Sequence, residues 1–159
     1  MISEYNYKNK IDIEKLEEMY KILVNNMFII YPDKIKLEID NEENHNKWIN
    51  SIISSKDYQI ITYSIDNNLI AFLSYNIIDN NLWISEVQVK DNYKNKEILK
   101  KLLKQFLCNK ITKRYKEIYI HINSKNIISQ QVFKHIGFKL KENTIYTIKI
   151  EELIKYIYK

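Results

Sequence analysis

The sequence has one glycine, one proline and one cysteine among its 159 residues, and each scarcity excludes something. With Gly137 alone, neither a Walker A phosphate loop nor a dinucleotide-binding glycine fingerprint can be written. Nucleotide hydrolysis and dinucleotide chemistry by those routes are therefore out. Cys108 has no partner for an internal disulfide, and His45, His121 and His135 are scattered without ligand spacing to it, so no metal site is expected. No apolar run approaches the roughly 20 residues needed to span a bilayer, and the opening MISEYNYKNK is too polar for a signal peptide. A cytoplasmic protein with no membrane partner is expected.

Arginine and alanine also occur once each, as Arg114 and Ala71, whereas lysine, isoleucine and asparagine make up nearly half of the chain. This pattern reads as drift in base composition. An isoleucine or a lysine at a given place thus says little, while Gly137 says more, because glycine serves positive φ or close backbone approach. The formal net charge of +5 fits a solvated, lysine-rich surface. A lysine stripe from Lys90 to Lys104 is the feature that would serve nucleic acid, but with one arginine and partly balanced charge that partner is not the expected one.

Residues 12–29 carry Leu16, Met19, Tyr20, Leu23, Val24 and Met27 at helical spacing behind a capping Asp12. After the break at Tyr31-Pro32-Asp33, residues 41–55 read as a second helix with Trp48, Ile49 and Ile52. Three β-branched and aromatic runs follow, YQIITYSI, NLIAFLSYNII and NLWISEVQV, joined at Asp66-Asn67-Asn68 and Asp79-Asn80-Asn81. Asparagine is the best substitute for glycine in left-handed turns, so these runs form an antiparallel meander. The last run leads into a long helix over EILKKLLKQFLCNKI, then a strand EIYIHI, a short helix NIISQQVFKHI ended by Gly137, and closing strands FKLKEN and TIYTIKI. A single α/β domain over 1–159 is predicted, with an isoleucine-rich edge strand near 145–150 that could pair across a homodimer axis.

This order of elements resembles the GNAT superfamily of acyl-CoA N-acyltransferases. The motif that ends the short helix in that family, Asn-x-x-Ala-x-x-x-Tyr-x-x-x-Gly-Phe, is similar to Asn126, Ser129, Phe133, Gly137 and Phe138 here. Upstream, VQVKDNYKNKEILKKLL resembles the family's strand, Tyr-Arg-Gly-x-Gly-x-Gly loop and helix at Val89, Tyr93, Lys94, Leu102 and Leu103. Asn95, Glu97 and Leu99 stand where the family has glycines, and Phe133 stands where it commonly has tyrosine. The resemblance implies a GNAT-like, mostly antiparallel sheet of six to seven strands flanked by about four helices. It also implies acetyl-CoA as co-substrate.

By the same resemblance, acetyl-CoA lies where the fourth and fifth strands of that fold splay apart. Backbone groups at Val87, Gln88 and Val89 hold pantetheine and thioester, and Lys94, Asn95, Lys96, Glu97, Ile98, Leu99 and Lys100 supply the pyrophosphate loop and first helical turn. Asn126 and Phe133 complete the cofactor side. Glu86 is the candidate base. It follows Leu82 and Ile84 at alternate positions, which puts a carboxylate on an otherwise apolar strand face, unless the pleat shifts near the strand end and turns it to solvent. The acceptor, a small-molecule or peptide amine, would lie against residues 25–50, where Asp33, Glu38, Asp40, Glu42 and Glu43 gather.

Two readings stay open. One is an acetyltransferase in which Glu86 assists direct attack by the amine. The other is a catalytically inactive GNAT-like domain serving as an interaction or regulatory module, because Glu97 and Leu99 crowd the phosphate loop, Glu97 repels phosphate, and Phe133 has no proton to give a departing thiolate.

Overall fold

The computed structural model describes residues 1–33, 41–94 and 96–159, with Lys96 described by its backbone alone. The chain begins with strand β1 (Ile2–Asn6) and continues through helices α1 (Ile13–Ile30) and α2 (Glu42–Ile53) to the meander β2 (Gln59–Ile65), β3 (Asn68–Ile78) and β4 (Asn81–Val89). A short 3-10 turn, Asp91–Tyr93, leads to α3 (Lys96–Cys108), and a second, Thr112–Arg114, leads to β5 (Glu117–His121). Helix α4 (Ile127–Ile136), strands β6 (Lys139–Glu142) and β7 (Ile145–Lys149), and helix α5 (Ile150–Ile157) complete the order. The strands form one seven-stranded sheet in the order β1-β2-β3-β4-β5-β7-β6, and of its pairs only β4 with β5 is parallel.

Local chemistry accounts for most boundaries. The Asp12 carboxylate accepts the Lys15 N–H at 2.7 Å and Asn41 accepts that of Asn44 at 2.8 Å, which caps α1 and α2. Both hairpins turn through Asp-Asn pairs with positive φ, 48° and 64° at Asp66 and Asn67, 49° and 62° at Asp79 and Asn80. Two consecutive left-handed residues match the twist of the flanking strands, so the joints form without glycine. Gly137 has φ 119°. Its N–H donates to the Lys134 carbonyl at 3.0 Å and the Phe138 N–H to the Phe133 carbonyl at 3.0 Å, the paired bonds of a Schellman cap that closes α4 and sends the chain into β6.

Both faces of the sheet are covered. On one, Leu102, Leu103 and Phe106 of α3, Phe133 and Ile136 of α4, and Leu153 of α5 pack on the inward side chains of β3, β4, β5 and β7. On the other, Leu16, Met19 and Ile22 of α1 and Ile49 of α2 pack on Ile60 and Phe72.

The expected GNAT-like, mostly antiparallel sheet is present, with two elements the sequence did not announce and one expectation to correct. Strand β1 was not anticipated: ISEYN shows no alternation of burial, all five residues being half-buried, and it is held partly by polar contacts, with Gln105 of α3 and Asn109 just past its end donating to Glu4. Strand β7 is not an edge. It pairs with β5 on one side and β6 on the other, so the edge invoked for a homodimer is already occupied. Beyond it the chain turns at Ile150 into α5, a fifth helix among the described residues.

Candidate active site

Strand β4 pairs with β3 from Asn81 to Val89, but with β5 only at Leu82, Trp83 and Ile84. Residues 85–89 therefore run on past the last β5 partner with that backbone edge unpaired by any strand among the described residues. Val87 and Val89 are half-buried and pack their side chains on the α3 side of the core. An open strand edge can take an extended chain bearing amides, which adds to it as a further strand would. Helix α3 begins just beyond, at Lys96.

Glu86 does not share the face of Leu82 and Ile84. Ile84 pairs with Tyr75 while Glu86 pairs with the adjacent Ser74, leaving Ser85 as an extra residue in β4. This bulge shifts the pleat by one residue, so Glu86 and Gln88 turn to the face covered by α1 and α2. The shift does not send Glu86 into open solvent. Its carboxylate is half-buried and lines a cavity of about 210 Å³ with Trp48, Ser51 and Ile52 of α2, Tyr58, Ser74 and Asn76. Burial pushes the Glu86 carboxyl above the usual carboxylate range, and a hydrogen bond from Gln88 partly offsets this.

The Gln88 side chain belongs to this carboxylate rather than to the strand gap. Its Nε2 donates to Glu86 Oε2 at 3.0 Å and its Oε1 accepts from Asn26 Nδ2 at 2.9 Å. Asn26 also donates to the Val89 carbonyl at 2.9 Å. This α1 residue was missed in the sequence, although a polar side chain on the stripe between Val24 and Met27 was a visible signal. The structure brings together Glu86, Gln88 and Asn26 on one face, and Val87 and Val89 on the other.

The remaining expected residues divide. Lys94 is exposed and paired with Asp91 at 3.0 Å. Asn95 and the Lys96 side chain lie outside the described residues. Glu97 is exposed in the first turn of α3, Lys100 is half-buried, Ile98 is buried in the core, and Leu99 packs against that core. Leu99 is thus turned to packing. Asn126 caps α4, its Oδ1 accepting the Ser129 N–H at 3.1 Å. Phe133 is buried and meets Phe138 edge-on.

On the acceptor side, Glu38 and Asp40 lie outside the described residues. Asp33, Glu42 and Glu43 are exposed, and Glu43 is paired with Lys47 at 2.6 Å, so the acidic rim is weaker than its count. Lys101 and Lys104 of the lysine stripe lie over the rings of Tyr63 and Tyr158. A larger concavity of about 1050 Å³ opens at the other end of the sheet, near Arg114, Lys149 and Ile154, and holds none of the expected site residues. Among the described residues no helix is long and apolar enough to cross a membrane.

A sequence model described as the Acetyltransferase (GNAT) family matches residues 16–138. The chain belongs to the GNAT acetyltransferase family. The match runs from α1 through the Schellman cap of α4 and so contains both the β4–β5 gap and the Glu86 cavity. Solved structures agree in fold. The PaiA N-acetyltransferase of Thermoplasma acidophilum, determined with coenzyme A, is 21% identical with a TM-score of 0.66, over 94% of this chain and 98% of its own. A GNAT-family acetyltransferase from Staphylococcus aureus is 16% identical with a TM-score of 0.71, over 94% and 99%. AAC(6′)-Iy, determined with a bisubstrate analogue of CoA and monomethyl-acetylneamine, is 14% identical with a TM-score of 0.63, over 90% and 94%. No curated protein matches the sequence.

Proposed function

We propose that this GNAT family member transfers the acetyl group of acetyl-CoA to a primary amine by direct attack, with Glu86 taking the amine proton. The observation that carries this reading is the placement of Glu86: a half-buried carboxylate at the bulge where β4 leaves β5, facing a cavity walled by α2. The acyl donor would extend along the unpaired edge of β4 and the acceptor would enter from the helix face. The two substrates then meet across one strand.

In the step proposed, the amine nitrogen bonds to the thioester carbonyl carbon and the carbon–sulfur bond breaks. The amine proton passes to Glu86, and the thiolate takes a proton from solvent because Phe133 has none. A raised carboxyl pKa brings the base closer to working pH, where general-base catalysis is most effective. Trp48 and Tyr58 offer aromatic surface beside the carboxylate, which suits an ammonium group carried on a slender chain. A polyamine, a lysine side chain or the aminomethyl arm of an aminoglycoside fits that description.

The second reading, an inactive interaction or regulatory module, is favoured by the exposed Glu97 carboxylate at the α3 N-terminus and by Phe133. An assay of acetyl-CoA-dependent thiol release across a panel of amines separates the two. Turnover with at least one amine, lowered about 10² to 10⁴-fold by Glu86→Gln, is the result expected. Equal turnover by wild type and Glu86→Gln would remove Glu86 from the chemistry.

A further inference from the structure

Helix α1 reaches the base through a chain of amides whose polarity is fixed at both ends. A carboxylate accepts and cannot donate. Gln88 therefore presents Nε2 to Glu86 Oε2, at 3.0 Å, and must turn its Oε1 away, where Asn26 Nδ2 donates to it at 2.9 Å. The Val89 carbonyl at the far end is likewise an obligate acceptor, and it takes an N–H from the same Asn26 nitrogen at 2.9 Å. Turning over either amide would set oxygen against oxygen or N–H against N–H. Asn26 is 5% exposed, so water cannot readily repair such a mismatch.

We propose that Asn26 and Gln88 are positioning residues that hold Glu86 Oε2 as a hydrogen-bond acceptor and so dedicate Oε1 to taking the proton of the acceptor amine. The proposal rests on the reading of Glu86 as the base. It goes beyond that reading by assigning a direction and an oxygen to the proton transfer, and by giving α1 a role in it.

Two consequences follow for the carboxyl. The Gln88 N–H supports the ionised form against the burial that opposes it, and it occupies one acceptor site of Oε2 while Oε1 keeps both of its own. The other titratable groups lining the cavity are the phenols of Tyr58 and Tyr75. Tyr58 donates to the Asn6 carbonyl, and burial raises the Tyr75 phenol well above its ordinary value. The Tyr75 phenol therefore keeps its proton at working pH. Among the described residues lining the cavity, Glu86 carries the charge alone.

The test is a side-chain ¹³C carboxyl titration by NMR, with the Glu86 resonance assigned by its loss in Glu86→Gln. Gln88→Met removes the donor and should raise the Glu86 midpoint by about one pH unit, the worth of one hydrogen bond to a charged group. Asn26→Leu leaves Gln88 free to turn over and should raise the midpoint too, yet add nothing in a Gln88→Met background. An Asn26→Leu effect that persists undiminished in that background, or no effect of Gln88→Met, would overturn the proposal. Asn26→Ala serves if the leucine variant does not fold, and Gln88→Met decides alone if neither does. The titration needs no substrate. If the midpoint moves as expected while the acid limb of the kcat/KM profile stays fixed, the base reading fails and the amide chain stands as a structural lock only.

Discussion

The ring of Phe133 meets that of Phe138 edge-on, with centroids 5.3 Å apart and planes at 90°, across the turn made by Gly137. In a Schellman cap the residues at these two positions commonly make an apolar contact that holds the turn. Phe133 therefore has a structural task at the place where many family members carry a tyrosine. The capping task needs the ring and not the hydroxyl.

Phe133→Tyr should accordingly fold normally and raise turnover about tenfold or more, by supplying a proton to the departing thiolate. Steady-state kinetics with a turned-over amine check this. A folded variant with unchanged kcat would mean that thiolate protonation does not limit the reaction.

Gly137→Ala should lower stability by about 1–3 kcal/mol, since an L-residue is strained at positive φ. The new Cβ would also sit 3.3 Å from Ile148 Cδ1, so the end of that side chain must give way slightly. Thermal melts should show a fall of several degrees, and an unaltered midpoint would contradict the assignment of the cap.

Glu86 should cost stability at neutral pH. Its folded-state pKa is raised by burial, so as pH climbs from the ordinary carboxylate value toward the folded one, the unfolded chain ionises first and stability falls. Below that window both states hold the proton and the cost disappears. Glu86→Gln should thus melt above wild type at pH 7 and together with it near pH 3.5, while losing activity. Melting curves at the two pH values check the sign.

Glu97→Gln should tighten coenzyme A binding by about three- to tenfold at low salt and by less at high salt. It removes a carboxylate from the first turn of α3, where an incoming phosphate would meet it, and such exposed charges are screened. Calorimetry at two ionic strengths checks this, and an affinity independent of Glu97 at both would place the phosphates elsewhere.

Much of this was legible because the local chemistry is strong. The Asp-Asn hairpins, the cap at Asp12 and the turn at Gly137 each depend on a residue type with few substitutes. What stayed hidden depends on pairing. Strand β1 has no pattern of its own apart from β2, and the passage from β7 into α5 is unmarked because Lys149 offers no side-chain cap. The bulge at Ser85 left a trace that strict alternation overrode: apolar residues fall at Leu82 and Ile84, then at Val87 and Val89, an odd step that places Glu86 on the opposite face. Asn26 was obscured by helical spacing that counted only apolar residues.

Calorimetric titration with acetyl-CoA and with CoA at moderate salt decides whether an acyl donor lies along the open edge of β4. Micromolar binding of both is expected, with the open strand edge and the start of α3 serving without the loop glycines. No heat of binding at millimolar ligand would contradict it and make the inactive module the better description.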